Sequence, residues 1–432
     1  MKICVFGLWH LGTVTAACLA NAGFQVVGLD FDQETINSLQ RGGAPIHEPG
    51  LNELISANLL KGKLEFSTDP EVALAGVDVL WVAFDTPVDN EDRADDEFVA
   101  QKLISVMDKL KSGTRVIISS QVPVGFTRRM EEVYTSLYPD KDVIFAYSPE
   151  NLRLGKAIQV FENPDRIVIG IRKNSDRILL QSLFSILSDR LEWMVTESAE
   201  MTKHAINAFL ATSVTFANEL ATICEQVGAD AKEVERGLKS EERIGPKAYL
   251  GPGYAFAGGT LGRDINLLIK IGEKCNLPTH LIKAVKNSND YHKTWVQRKV
   301  VESMGDLKGK KVAVLGLTYK PGTDTLRRSW SIELCHWLSQ QGACLQAFDP
   351  QVKELPNELN NIIVLSSNIK EALNEAECAV VGTQWEMFRD ELTQDILNVM
   401  NRQILIDANG FLEKNFAGCN EIKYIVIGRG VT

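Results

Sequence analysis

The sequence predicts an α/β protein: two parallel-sheet domains joined by a central domain of long helices. Three features lead there. Short apolar runs alternate with helical stretches from the first residues to about residue 197, the rhythm of a parallel sheet with helices on both faces. From residue 198 that rhythm gives way to long helical stretches, and after Lys308-Gly309-Lys310 it resumes. The expected domains are therefore 1–197, 198–307 and 308–432. A chain of 432 residues exceeds one ordinary domain, and 45% hydrophobic residues supply well-developed cores rather than disorder.

Each element follows in order. Ile3-Cys4-Val5-Phe6 reads as a strand, Gly7 as a turn, residues 13–22 as a helix ending at Gly23, and 24–29 as a second strand closed by Asp30. Further strands are expected at 77–84, 116–118, 143–147 and 167–170. In the middle, 199–226 and 264–304 read as long helices separated by a Gly-rich stretch, GPGYAFAGG. The final third opens with the strand VAVLGL, continues with a helix over 330–341, and returns in CLQAFDP.

Charge and composition exclude whole classes of partner. Lys and Arg number 46 against 56 Asp and Glu, a net charge of −10, so no global basic field exists for nucleic acid. No apolar run approaches the ~18 residues of a membrane span. Because MKICVFG enters a strand at once, no signal peptide is expected. Eight cysteines stand singly without CxxC spacing, which predicts reduced thiols in the cytoplasm and no metal site.

The first turn carries a partial dinucleotide fingerprint, Gly7-Leu8-Trp9-His10-Leu11-Gly12, with Asp30 eighteen residues further on. The first glycine permits the tight turn and the last permits close helix–strand packing. A pyrophosphate would rest on the helix N-terminus, where unpaired N–H groups favour anions. A carboxylate at Asp30 would take the ribose hydroxyls and repel a 2′-phosphate, favouring NAD over NADP. The middle glycine is replaced by Trp9, so a plain Rossmann-like βαβ unit without a dinucleotide remains open. Gly316 and Asp349 repeat the turn-and-acid pattern in the last third, without the rest of the fingerprint.

Longer blocks resemble the UDP-glucose/GDP-mannose dehydrogenase family of nucleotide-sugar dehydrogenases. They are Asp30-Phe31-Asp32, Ala44-Pro45-Ile46-His47-Glu48-Pro49-Gly50-Leu51, Val122-Pro123-Val124-Gly125, Ser148-Pro149-Glu150 and Asn163-Pro164-Asp165-Arg166. Ala199-Glu200-Met201-Thr202-Lys203, Asn207-Ala208-Phe209, Arg243-Ile244-Gly245, Gly316-Leu317-Thr318-Tyr319-Lys320 and Thr323-Asp324-Thr325-Leu326-Arg327 follow in family order. The resemblance implies two Rossmann-like domains, NAD-binding and nucleotide-sugar-binding, flanking a helical domain that makes a homodimer. It also implies oxidation of a sugar C6 alcohol to a uronic acid with two NAD. Lys203 and Asn207 match the oxyanion-holding pair; their i, i+4 spacing puts them on one helix face, where both can share a developing alkoxide. Glu150 matches a general base or water-ordering glutamate, and Asp264 an aspartate that orients the centre. Thr86, Pro87 and Gln121 would join Gly7, Trp9, His10, Leu11, Gly12 and Asp30 around the cofactor. Arg243, Tyr249, Tyr254, Gly258, Lys320 and Arg327 would hold the substrate, Arg327 across the dimer. Plainer readings stay open: a solvated lysine at 203, helix-starting carboxylates at 150 and 264, and a surface arginine at 327.

The chain departs from the family where the chemistry is hardest. The family's Gly-Gly-Ser-Cys-Leu-Pro-Lys-Asp stretch here reads Gly258-Gly259-Thr260-Leu261-Gly262-Arg263-Asp264 after Ala257, aligned on Leu261 and Asp264. Thr260 therefore stands at the position of the thiol nucleophile and Arg263 at that of the lysine. A threonine hydroxyl is barely ionised near neutrality and a poor nucleophile without a dedicated base. Cys275 would lie about 16 Å along a helix, at ~1.5 Å per residue, and cannot substitute. Trp9, Thr35, Asp85, Ser120-Gln121 and Leu154 depart from the family as well. The expectation is an NAD-dependent oxidoreductase on a nucleotide-linked sugar that yields at most one NADH per sugar. The four-electron dehydrogenase, a non-catalytic nucleotide-sugar-binding paralogue and a hydroxyacid dehydrogenase stay open beside it.

Overall fold

The structure, a computed structural model, describes residues 1–89, 94–150, 152–416, 418–419 and 421–430. The chain forms two compact units, one of residues 1–208 with 258–278 and the other of 209–257 with 279–432.

In the first unit eight strands form one sheet, in the order β3-β2-β1-β4-β5-β6-β7-β8. They are β1 Lys2–Phe6, β2 Gln25–Leu29, β3 Leu64–Ser67, β4 Val79–Val82, β5 Arg115–Ile118, β6 Ile144–Tyr147, β7 Ile167–Ile171 and β8 Leu191–Val195. All neighbours run parallel except β6 and β7. Side chains alternate across the pleat, so Ile3 and Val5 join one apolar layer while Cys4 and Phe6 join the other. Burial on both faces explains why the inner strands read as continuous apolar runs. The sequence reading missed β3 and β8. Both are edge strands with interrupted burial, so neither needs an unbroken apolar run. Strand order reverses between β1 and β4, which places the turn after β1 beside the loop after β4, the usual ligand crevice of such a sheet.

The second unit repeats the plan with six parallel strands in the order β11-β10-β9-β12-β13-β14. These are β9 Lys311–Leu315, β10 Cys344–Phe348, β11 Ile363–Leu365, β12 Cys378–Val381, β13 Ile404–Ile406 and β14 Lys423–Ile425. Apolar layers again cover both faces.

The helical middle opens with Thr196–Val227, 32 residues long. The expected single helix over 264–304 is instead three: Arg263–Lys274, His280–His292 and Trp295–Met304. Asn276 adopts a left-handed φ of 54°, and Pro278, which cannot supply a helical N–H, follows it. The second break falls at Lys293-Thr294. Residues 258–262 form a short π-turn leading directly into Arg263–Lys274. Among the described residues no helix is long and apolar enough to cross a membrane.

Candidate active site

At the nucleotide end, β1 runs into Gly7, whose φ is +93°. A Cβ there would stand 2.6 Å from the Phe84 ring, and one on Gly12 would fall 1.6 Å from the Gly7 carbonyl oxygen. Only hydrogen at both positions lets helix His10–Asn21 begin against the strand end. Asp30, at the end of β2, folds back onto this turn; it accepts the Leu8 N–H at 2.7 Å and the Asp32 N–H at 3.1 Å. The close glycine contact and the adjoining carboxylate fit a dinucleotide: the glycines would admit a pyrophosphate and Asp30 would face the adenosine ribose. Trp9 is the N-cap residue with φ −82°, so its backbone does not require glycine, and its indole is 52% exposed.

Two carboxylates meet the first turn of that helix. Asp85, just past β4, accepts the Leu11 N–H at 3.2 Å. His10 Nε2 lies 3.1 Å from Glu48, which is buried and also accepts the N–H groups of Gly155 and Ala157 at 2.8 and 2.9 Å. Burial would raise the Glu48 carboxyl, but those two N–H donors and His10 outweigh it and hold it below the ordinary glutamate range. Thr86 is buried and donates to the Gln121 carbonyl at 2.7 Å, tying the loop after β4 to the loop after β5. The Pro87 carbonyl accepts the Asp95 N–H at 2.8 Å.

The polar centre is built on the first turns of helix Thr196–Val227. Glu200, Lys203, His204 and Asn207 are all buried and recur at i, i+3, i+4 and i+7, one face of the helix. Glu200 accepts the Gly125 N–H at 2.6 Å and both the N–H and hydroxyl of Thr127, at 2.9 and 2.7 Å. Burial pushes its carboxyl above the ordinary range in spite of these donors. Lys203 Nζ donates to the Glu150 carbonyl at 2.6 Å and to Glu150 Oε1 at 3.3 Å. The other Glu150 oxygen accepts the Leu152 N–H at 2.6 Å. Glu150 lies in the loop after β6, and the next helix begins only at Ala157, so it does not start a helix. Nor is Lys203 a solvated helix lysine.

Asp264 does sit in the first turn of Arg263–Lys274, yet its carboxylate turns away from capping it. It is 0% exposed and accepts Gln121 Nε2 on both oxygens, at 2.7 and 2.9 Å. His204 Nδ1 lies 2.8 Å from Oδ1, and the Asn207 amide donates to Oδ2. His204 Nε2 donates in turn to the Val122 carbonyl at 2.9 Å. The Arg263 guanidinium donates to Gln121 Oε1. Gln121, expected beside the cofactor, is thus part of the polar centre. The sequence reading did not single out His204 or Glu48 as site residues. The buried polar stripe at helical spacing was the signal that could have found His204. Thr260 is exposed on the turn before Asp264, and Cys275 closes the far end of helix Arg263–Lys274.

The remaining candidates belong to the second unit, Gly258 excepted. Tyr254 is committed to structure: its hydroxyl donates to the Val381 carbonyl at 2.7 Å, its N–H to Asn409 at 2.9 Å, and its ring lies 4.1 Å from that of Trp330. Burial pushes its phenol well above the ordinary range. Arg243 is exposed and donates to Glu241 at 2.7 Å, and Tyr249 is exposed. Lys320 and the exposed Arg327 flank a loop closed by the Tyr319 N–H on the Thr325 carbonyl at 2.8 Å. Gly258 opens the π-turn of the first unit. Asp349 mirrors Asp30 in accepting the N–H after the turn glycine, here from Leu317 at 2.7 Å. Thr318 and the Trp385 indole also donate to it, and it is buried, so Asp349 is not comparable to Asp30 as a ribose carboxylate.

Three family models match the chain. The UDP-glucose/GDP-mannose dehydrogenase family NAD binding domain matches residues 1–188, its central domain 197–291, and its UDP binding domain 313–414. A UDP-glucose 6-dehydrogenase of Rhizobium meliloti is 35% identical over 437 residues, covering 99% of this chain and 100% of that one. The Bacillus subtilis UDP-glucose 6-dehydrogenase TuaD is 30% identical, with 99% and 93% covered. Among solved structures, a UDP-glucose dehydrogenase of Pyrobaculum islandicum superposes with a TM-score of 0.86 at 28% identity, covering 99% of this chain and 97% of that one.

Proposed function

The chain belongs to the UDP-glucose/GDP-mannose dehydrogenase family, with NAD as cofactor, and we propose that it removes a single hydride from C6 of a UDP-linked sugar and releases the aldehyde. The alcohol carbon gives its hydride to the nicotinamide and the hydroxyl proton goes to a base, so R–CH2OH and NAD+ become R–CHO, NADH and H+. Bound NAD supplies the hydride acceptor; the chain's own residues supply the rest.

Lys203 holds the sugar oxygen as its charge develops, sharing it with the Asn207 amide one turn further on. Glu150, hydrogen-bonded to Lys203, takes the proton. Asp264 holds Asn207 in place. Lys320 and Arg327 bind the diphosphate, an arginine suiting bidentate phosphate contact, with Arg327 reaching from a partner copy. Arg243, Tyr249 and Tyr254 are the further substrate contacts in this reading, Tyr254 without its hydroxyl, which is bonded to the Val381 carbonyl.

The observation that carries this reading is the identity of residue 260. Lys203 pairs with Glu150 and Asn207 with Asp264, which supports the first oxidation, while Thr260 carries a hydroxyl where the family resemblance would place the thiol of the second. No thiolate is there to add to the aldehyde and carry it to a thioester.

A homodimer through the central helices accompanies this function, with 1–197 as the NAD domain, 198–307 as the dimer domain and 308–432 as the nucleotide-sugar domain. Phe209, Phe216 and Ile223 stand seven residues apart on one helix and are 71, 50 and 56% exposed, a stripe that supports such a contact. The eight free cysteines support a reducing, cytoplasmic setting.

The test is stoichiometric. Purified protein, NAD and UDP-glucose should give one NADH per sugar and an aldehyde trapped by a hydrazine. Two NADH with an equivalent of uronic acid would sink the reading. A second reading, a nucleotide-sugar-binding protein with a closed dinucleotide site, draws on Asp85 at the Leu11 N–H. Calorimetry that detects UDP-sugar binding but no NAD binding would favour it.

A further inference from the structure

Gln121 joins three segments of the first unit. Its carbonyl accepts the Thr86 hydroxyl from the loop after β4. Its side-chain oxygen accepts from Arg263 and its side-chain nitrogen donates to both oxygens of Asp264. The two ends of one amide are thus matched to a cation and an anion that are neighbours in sequence.

The consequence falls on Asp264. A carboxylate offers about four lone-pair sites. Here Gln121 Nε2 occupies both oxygens, His204 Nδ1 lies on one and the Asn207 amide on the other. The group is 0% exposed. With Gln121, His204 and Asn207 packed on its two oxygens and no accessible surface, this carboxylate has no room for a water. Asp264 nevertheless touches Asn207, so it stands next to the group assigned to the reacting oxygen.

We infer that Gln121 is a specificity-determining positioning residue: it keeps water off Asp264 and so confines the reaction to one hydride transfer. The inference rests on the reading above, in which Lys203 and Asn207 hold the sugar oxygen. Without a thiol, the way from aldehyde to acid is the hydrate. Water adds its oxygen to the aldehyde carbon, gives one proton to a base, and the former carbonyl oxygen takes one up, forming R–CH(OH)2. That carbon then gives a hydride to a second NAD+ and a proton is released, leaving R–COOH and NADH. Glu150 is tied to Lys203 and the Leu152 N–H on the alcohol-oxygen side, so the hydrate route needs a second carboxylate beside the carbonyl carbon with a lone pair free for water. Asp264, which adjoins Asn207, has the place, and the Gln121 amide takes its lone pairs.

The experiment supplies the nucleotide-linked 6-aldehyde and NAD directly, in water enriched in 18O, to the unaltered protein, Gln121→Ala and Gln121→Thr. Uronic acid, NADH and 18O in the new carboxylate are measured, with NAD affinity and melting temperature followed in parallel. Shortening the side chain frees the Asp264 lone pairs, so the acid-forming rate should rise on the order of 10²-fold, the lower end of what a positioned base contributes. The acid should carry solvent 18O. Rapid acid formation by the unaltered protein overturns the single-transfer reading itself. Slow oxidation by that protein, with no rise in either variant that still binds NAD and melts cooperatively, overturns the role of Gln121 alone. Should the alanine variant not fold, the threonine variant, which keeps a hydrogen-bonding side chain, decides the matter. A purely structural role for Gln121 predicts lower stability in both variants and no gain of labelled acid.

Discussion

The side-chain nitrogen of Gln121 lies 2.7 and 2.9 Å from the two oxygens of Asp264, a residue 143 positions away in sequence. The Arg263 guanidinium lies on the other end of the same amide, so one side chain joins a cation and an anion adjacent in sequence. An amide long enough to bridge Arg263 and Asp264 fills the space that a shorter side chain would leave to solvent. Asp264 thereby accepts from both Gln121 and Asn207, which in the proposed reaction leaves proton transfer to Glu150.

Placing a thiol at the nucleophile position tests the missing step. Thr260 is exposed on its turn, so Thr260→Cys should fold normally. The variant should convert the aldehyde to a covalent adduct, visible by mass spectrometry after acid quenching, and yield measurable uronic acid where the parent yields none. A thiol that stays unreactive in this variant, with no adduct, would show that the turn, not the side chain, is out of place.

Asp85 competes for the end of helix His10–Asn21. A carboxylate on the Leu11 N–H occupies part of the positive end of the helix dipole that a pyrophosphate needs. Asp85→Asn removes the like charge and should tighten NAD by about 1 kcal/mol, roughly fivefold. Titration calorimetry at low salt checks it. Equal affinities would mean that Asp85 swings clear when the dinucleotide arrives.

Glu48 makes the loop at 155–157 sensitive to acid. Its folded carboxyl is held below the ordinary glutamate value by the Gly155 and Ala157 N–H groups and His10, against burial. The unfolded chain therefore binds the proton more readily. The stabilisation is complete above the unfolded value of about 4.3 and is lost as pH falls through the folded one. Glu48→Gln should cost about 2 kcal/mol near neutrality, the scale of hydrogen bonds to a charged group. Thermal melts of parent and variant should converge as the pH is lowered through the folded value. A gap that stays constant with pH would locate the effect in packing rather than charge.

The exposed stripe on helix Thr196–Val227 makes a prediction about assembly. Phe216 occupies its middle and is half exposed. Phe216→Glu would place a charge in a desolvated contact and should shift the protein from dimer to monomer in light scattering at micromolar concentration. Catalysis should fall with it, because Arg327 is then not delivered from the partner. A variant that remains dimeric would direct attention to another face.

Several parts of this protein were legible in its residues because the physics behind them is local. Apolar runs marked the inner strands of the first sheet and β9 and β10 of the second, though not β12 and β13, and the glycines at 7 and 12 marked the turn where a Cβ would strike Phe84 or the Gly7 carbonyl. The i, i+4 spacing of Lys203 and Asn207 already placed them on one helix face. Edge strands β3 and β8 were not legible, since strands covered less completely need no unbroken apolar pattern. The helix expected over 264–304 failed at Asn276 and Pro278, local breakers passed over in favour of the apolar pattern.

By itself, then, the sequence determined the two α/β halves, the family, the paired lysine and asparagine, and the absence of a thiol at position 260. Only the tertiary structure decided what surrounds them. It decided that His204 lies on Asp264 across 60 residues, that Glu48 closes on Ala157 across 109, and that Gln121 serves the polar centre. The physical reason is that a carboxylate's behaviour depends on which donors reach it and how much water is left. Those donors arrive from strand ends and loops that the fold, not the order of residues, brings within about three ångströms, the ordinary hydrogen-bond distance.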